Sequence, residues 1–287
     1  MRKWLWFLSA LVLISGFGAQ GVITLMTERR LAREQDYYHL VPILCFHNID
    51  GVGPYSLDRQ EFRYYLQRIR EQGITVISLK SLVEHARQGR KMTQPSMVIT
   101  IDDDYKNIMR VAAPLLREYS YPATFFVYIK DIQEHSQYGT SWEDLQRLHA
   151  EGFEIQNHSW SHTSFHKPRP GESLAGWQMR MHKEVVQSRR VLESQVPNLK
   201  IYAFAYPMGY NSPALRQLVR DSGYQVSVTT DARPVDLSKP FQPLFDRYTI
   251  QKHLIKEPGR MFDLQIKYAT RLWQADENSQ LSHQQTP

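Results

Sequence analysis

The chain has 287 residues, a formal net charge of +6, 42% hydrophobic and 12% aromatic residues, and a single cysteine. Such a composition excludes a disordered protein and supplies enough apolar side chains for one large core. The lone Cys45 excludes an internal disulfide and any multi-cysteine zinc site, so a metal would have to rest on histidine and carboxylate.

The basic balance, with a pI near 9.3, suits acidic surfaces such as anionic lipid or wall polymer. No dense Lys/Arg run interleaved with aromatics occurs, which argues against nucleic acid as a partner. After Arg2 and Lys3 comes "WLWFLSALVLISGFGAQGVITLM", residues 4–26, uncharged and long enough to cross a bilayer core as a helix. A secretory signal peptide cleaved after "FGA" is the competing reading, although the apolar run continues past that point to Met26. Arg29, Arg30 and Arg33 balance Arg2 and Lys3, so charge alone does not orient the segment. The expected organisation is a membrane anchor or signal segment with linker over 1–35, one catalytic domain over 36–262, and a C-terminal helix with solvated tail over 263–287.

From residue 39 onward, strand-like and helix-like segments alternate. "HLVPILCFHNI" reads as a buried strand, and "DRQEFRYYLQRIREQG" as a helix with Phe62, Leu66 and Ile69 on one face and Gly73 as its stop. "TVISL" is a strand, "KSLVEHARQG" a short helix, and "SMVITI" a strand that runs into three aspartates. "NIMRVAAPLLREYS" is a helix, "ATFFVYI" a strand, and "SWEDLQRLHAEG" a helix capped by Ser141, with Asp144 at the capping-box position. After the strand "FEIQNH" comes a polar Pro/Gly loop over 163–176 and a long helix over 177–195. The strand "IYAFAYP", a helix ending near Gly223 and "YQVSVTT" complete the series. About seven such alternations in roughly 220 residues predict an α/β fold of the distorted (β/α)7-like barrel kind, as a single domain.

Two motifs stand where strands end. "TIDDDY" places Asp102, Asp103 and Asp104 in a row, and adjacent carboxylates repel unless a cation or a shared proton holds them together. "HSWSH" places His158 and His162 four residues apart, just past another strand. Each alone has an ordinary structural explanation, as a helix cap or a hydrogen-bonded turn. Together, two histidines and a carboxylate form a three-ligand set with a position left open, as in catalytic zinc sites.

With "YPMGY" added, the ordered motifs resemble those of the polysaccharide deacetylases of carbohydrate esterase family 4, which share the NodB homology domain. The resemblance runs from Val41 to Ile250 and is similar to the circularly permuted poly-N-acetylglucosamine deacetylase type. It implies Asp102 as general base, and Asp103, His158 and His162 as ligands of a divalent metal, zinc first, with cobalt or nickel as alternatives. It also implies the backbone N–H of Met208 as an oxyanion donor. No Leu-x-His motif closes the domain; the resemblance to the circularly permuted type, with its histidine on the first strand, implies His47 as general acid, and His47 shares a strand face with Cys45.

Ala205 stands where the family often has an arginine, and Arg247 with Asp246 beside it is the candidate to orient the base instead. Asp104 stands where the family usually has glycine. It is expected either to adopt a left-handed backbone or to add negative charge that raises the pKa of Asp102. Tyr206, Tyr210 and Trp160 are candidates to face sugar. The implied activity is removal of N-acetyl groups from N-acetylglucosamine units of a surface or wall polysaccharide, at a bacterial inner membrane and facing outward. An O-acetyl esterase, a peptidoglycan deacetylase and a degenerate carbohydrate-binding module are the alternatives.

Overall fold

The computed structural model describes residues 39–250; the apolar segment 4–26 and the tail beyond 262 lie outside the described residues. Among the described residues, no helix is long and apolar enough to cross a membrane.

The strands are β1 (Leu40–Val41), β2 (Ile43–Phe46), β3 (Thr75–Ile77), β4 (Ser96–Asp102), β5 (Thr124–Val127), β6 (Glu154–Asn157), β7 (Ala203–Ala205), β8 (Val226–Val228), β9 (Val235–Asp236), β10 (Leu244–Phe245) and β11 (Tyr248–Thr249). Nine of them form one curled sheet along the path β10-β8-β7-β6-β5-β4-β2-β11, with β3 pairing β4. Every pair in that sheet is parallel. Strands β10 and β11 stand at opposite ends of this path, yet only Asp246 and Arg247 separate them in the chain. One short segment therefore meets both edges of the curled sheet, and Arg247 sits at the meeting point. Strands β1 and β9 pair separately as an antiparallel ribbon.

Local chemistry explains the helices. Helix α1 (Arg59–Glu71) starts with a full capping box, in which Asp58 accepts from Gln60 and Glu61 N–H and Glu61 reaches back to the Asp58 N–H. Helix α2 (Leu79–Gln88) is capped by Ser78 and ends at left-handed Gly89. Helix α3 (Ala113–Tyr119) follows a π turn over Ile108–Ala112, and α4 (Ile129–Gln133) follows β5 directly. Helix α5 (Trp142–Ala150) begins at Ser141, whose side chain accepts from Asp144 N–H as the capping pattern predicts. The long helix starts earlier than its polarity predicts: α6 (Leu174–His182) is capped by Ser173, a π turn spans Lys183–Gln187, and α7 (Ser188–Gln195) continues it. Helix α8 (Pro213–Asp221) is the last among the described residues.

Side-chain alternation along the strands separates two cores. Met97, Ile99 and Ile101 of β4 join Phe125, Ile155 and Phe204 in the larger cluster, where α1, α3, α5 and α7 pack. Val98 turns the other way and meets Ile43, Phe126, Ala205 and Val228, together with Leu79, Leu82 and Val83 of α2. Thr100 and Asp102 share the face of Val98 by the same period, so the inner face changes from apolar to polar toward the carboxyl end of β4.

Candidate active site

Strand β4 delivers Asp102 in register with Phe126 of β5, while Cys45 of β2 pairs with Thr100. Arg247 enters from the closing segment and is wholly buried. Its Nη1 donates to Asp102 Oδ1 and its Nη2 to Asp102 Oδ2, both at 2.6 Å. Nη1 also donates to Thr100 Oγ1 at 3.1 Å, and Nε donates to the Thr229 carbonyl at 3.1 Å. A planar guanidinium is the side chain whose geometry permits this two-pronged contact. Burial opposes ionisation of Asp102, but Arg247 and then His158 overcome it, holding the carboxyl well below the usual carboxylate range. Asp102 is therefore a fixed anion at neutral pH.

Asp103, His158 and His162 come together within 4.8 Å. His158 lies just past β6, and its Nδ1 is 2.9 Å from the Ala205 carbonyl. A carbonyl can only accept, so Nδ1 carries the proton and Nε2 presents its lone pair to the carboxylates, 3.6 Å from Asp102 Oδ2 and 3.9 Å from Asp103 Oδ1. His162 Nε2 stands 3.4 Å from Asp103 Oδ1. Burial lowers His158 to about 3 and lowers His162 as well, so both rings are neutral, as ligands must be. Burial drives Asp103 up to about 6, with His47 opposing and the Asp102 charge adding to the rise.

Asp103 Oδ1 is buried and makes no hydrogen bond. A buried, unpaired carboxylate oxygen facing two neutral imidazole nitrogens suits a divalent cation, and the nitrogen/oxygen donor set suits zinc. Left-handed backbone at Asp103 (φ 71°), Ser159 (φ 82°) and His162 (φ 51°) marks the turns that aim these groups.

His47, just past β2, lies with Cys45 and Asp102 in a second group whose donor atoms are within 4.8 Å of one another. Its Nδ1 is buried without a hydrogen bond, and burial lowers its pKa. The Met208 backbone (φ 58°) lies in the turn Pro207–Gly209, which follows the strand whose Ala205 carbonyl holds His158. Gly209 (φ 75°) is required there: a Cβ would stand 2.2 Å from Thr230 Oγ1.

Several sequence expectations are corrected. Tyr206 is 1% exposed and stacks edge-on with Phe204 in the core, so it does not line a cleft, whereas Tyr210 is 54% exposed with its ring beside His166. Trp160 packs against the larger core with the Lys183 ammonium 4.6 Å from its ring centroid. The left-handed residue of the aspartate run is Asp103, not Asp104, and the Asp102 carboxyl is lowered rather than raised. Asp104 is itself buried, its carbonyl accepting from Thr140 N–H and its carboxyl pushed up to about 8 by burial, with Asp131 and Asp103 adding. Asp246 partners Arg233 and Thr229 instead of Arg247. The sequence reading missed Glu184, which accepts from the Trp160 and Ser161 N–H groups, and the carbonyl of Ala205. An acidic residue inside a buried helix face was the only signal for Glu184, and a main-chain carbonyl has none.

The fold and site define an α/β protein with its polar centre at the carboxyl ends of parallel strands, where enzymes of this architecture act. Residues 89–227 match the family model for polysaccharide deacetylase. Residues 89–227 are therefore similar to a polysaccharide deacetylase domain. Its relatives include Bacillus subtilis YxkH, 24% identical over 192 residues that cover 67% of this chain and 64% of the relative. The poly-beta-1,6-N-acetyl-D-glucosamine N-deacetylase of Staphylococcus epidermidis is 24% identical over 217 residues, 74% of this chain and 72% of that protein. The fold is similar to Streptococcus pyogenes deacetylase PplD in complex with acetate (TM-score 0.67, 20% identity, 78% of this chain and 97% of that one). It is equally similar to IcaB from Ammonifex degensii (TM-score 0.67, 19% identity, 79% and 97%).

Proposed function

We propose that this protein hydrolyses N-acetyl groups on N-acetylglucosamine units of a cell-surface or wall polysaccharide. The observation that carries the reading is the juxtaposition of an arginine-fixed anion, Asp102, with the Asp103, His158 and His162 set. A relative named as a poly-N-acetylglucosamine N-deacetylase supports the choice of substrate. Asp103, His158 and His162 would hold a divalent cation, zinc in the first instance. When bound, that ion supplies Lewis acidity, polarising the acetyl carbonyl and lowering the pKa of water.

The remaining work falls to the chain's own groups. Asp102, ionised and held by both oxygens, accepts a proton from the attacking water while the water oxygen bonds to the acetyl carbon. His47 is neutral at pH 7, because burial lowers its pKa, and one of its ring nitrogens lies within 4.8 Å of an Asp102 carboxylate oxygen, a gap that a bridging water would span to pass that proton on. It delivers the proton to the amide nitrogen as the C–N bond breaks, so acetate and a free amino sugar leave. The Met208 N–H would serve as a fixed dipole for the developing oxyanion. Tyr210, exposed beside His166, offers a flat ring to a pyranose face.

The curled sheet, joined at both edges by one segment, is read as the distorted (β/α)7-like barrel, with the domain extending over 36–262. The segment before it would tether the domain at the cell envelope, facing outward. Acetate release from N-acetylglucosamine oligomers and from acetylated xylan, after chelation and after zinc or cobalt is restored, tests the reading, with Asp102→Asn alongside. Metal-restored release from the oligomers that is lost in the variant is expected. Release from xylan alone would move the assignment to an O-acetyl esterase, and glycan binding without release would overturn the hydrolytic reading.

A further inference from the structure

The turn that carries the two histidines takes its shape from a buried acid outside it. Glu184 is 4% exposed. Its Oε2 accepts from the backbone N–H of Trp160 at 3.0 Å and of Ser161 at 2.9 Å, and its Oε1 accepts from Ser161 Oγ at 2.6 Å. Those N–H groups lie between His158 and His162, where left-handed Ser159 and His162 bend the chain and no ladder partner is available. Successive N–H groups in such a bend form a concave nest that binds an anion, and here the anion is a side chain.

Glu184 stands in the π turn Lys183–Gln187. The wider turn leaves carbonyls free for partners outside the helix ladder. Ser188 Oγ donates to Glu184 O at 2.6 Å, and Tyr224 OH donates to Val185 O at 2.7 Å. Asn157, the last residue of β6, joins the same turn: its Nδ2 donates to Ser188 Oγ at 2.8 Å and to Tyr224 OH at 2.6 Å, while its Oδ1 accepts Ser159 N–H at 2.9 Å. Both ends of the histidine turn are therefore tied to one irregular turn of a neighbouring helix. Neither tie touches a ring nitrogen, so they act on where the imidazoles stand and leave their chemistry alone.

We infer that Glu184 is a positioning residue for the metal centre: by bridging the Trp160 and Ser161 N–H groups it holds His162 Nε2 against Asp103 Oδ1, so that the cation meets a preformed ligand set. This rests on the metal site proposed above. Groups that orient ligands typically alter metal affinity by about 10–100-fold when removed. The measurement is the zinc dissociation constant of the full chain by competition with a fluorescent chelator, for wild type, Glu184→Ala, Glu184→Gln, Ser161→Ala and the remote core variant Leu145→Ala. Glu184→Ala is expected to weaken zinc binding by about 10–100-fold, with Glu184→Gln, which keeps one acceptor oxygen, and Ser161→Ala falling in between. Leu145→Ala, which loses stability without touching the turn, is expected to bind zinc like wild type.

Equal loss of affinity in Leu145→Ala and Glu184→Ala would reduce Glu184 to a folding role and overturn the inference, as would zinc binding within twofold of wild type in Glu184→Ala. If Glu184→Ala does not fold, Ser161→Ala decides: unchanged affinity there overturns the inference. Failure of the wild-type chain to bind zinc is a separate result, which removes the metal site and this role together.

Discussion

Replacing Arg247 by methionine removes the buried cation while keeping most of the side-chain volume. Asp102 is then left as an uncompensated buried charge, deprived of two 2.6 Å charge-assisted hydrogen bonds. Breaking a buried pair by removing one partner destabilises by about 3–5 kcal/mol, and two such bonds at about 1.5–3 kcal/mol each agree with that range. With a urea m-value of about 2–3 kcal/mol/M, the unfolding midpoint should fall by about 1–2.5 M, read from tryptophan fluorescence of the chelator-treated chain.

The pH dependence supplies a second signature. In wild type the folded carboxyl of Asp102 titrates below its unfolded value of about 3.9, so the stability it contributes is fully present above that pH and is lost as pH falls toward the folded value. In Arg247→Met, burial without a cation raises the folded carboxyl above its unfolded value, so the penalty is largest at neutral pH and shrinks on acidification. The gap between the two proteins should therefore narrow from pH 7 to pH 4, and a double-mutant cycle with Asp102→Asn should give about 2–3 kcal/mol of coupling. A midpoint shift under about 0.4 M, or a gap that does not change with pH, would refute the reasoning.

Gly209→Ala should lower the melting temperature by about 2–12 °C, because the added methyl meets Thr230 Oγ1 at 2.2 Å in a left-handed turn; Thr230→Ala in the same chain should restore part of it. Asp58→Ala removes a complete capping box and should cost about 1 kcal/mol in denaturant unfolding with no change in acetate release. In steady-state assays on oligomers, Tyr206→Phe should leave KM within about twofold of wild type because the ring is buried, whereas Tyr210→Ala should raise KM by about 1 kcal/mol of lost ring contact.

Much of the site could be read from local signals. The aspartate run and the paired histidines were visible because each follows a strand whose apolar run ends abruptly, and capping residues such as Ser141 and Asp58 sit next to the helices they start. The elements after Val228 were not assigned as strands, because β9, β10 and β11 are two residues each and carry no periodicity. Tyr206 and Tyr210 flank the same short motif, and nothing in their spacing tells which one is buried. The aspartates repeat without marking which of them must turn left-handed.

What the sequence by itself determined was the set of candidate site residues, the succession of strands and helices, and the conclusion that a metal would rest on His and carboxylate, since these follow from residue type and near neighbours. Only the tertiary structure decided how those groups are held. Arg247 reaches Asp102 across 145 positions of sequence because one segment meets both edges of the curled sheet. Glu184 reaches the histidine turn because a π turn departs from the helical repeat by which a face would be predicted. Both are contacts between distant parts of the chain, made by burial and closure, and such contacts leave no pattern along it.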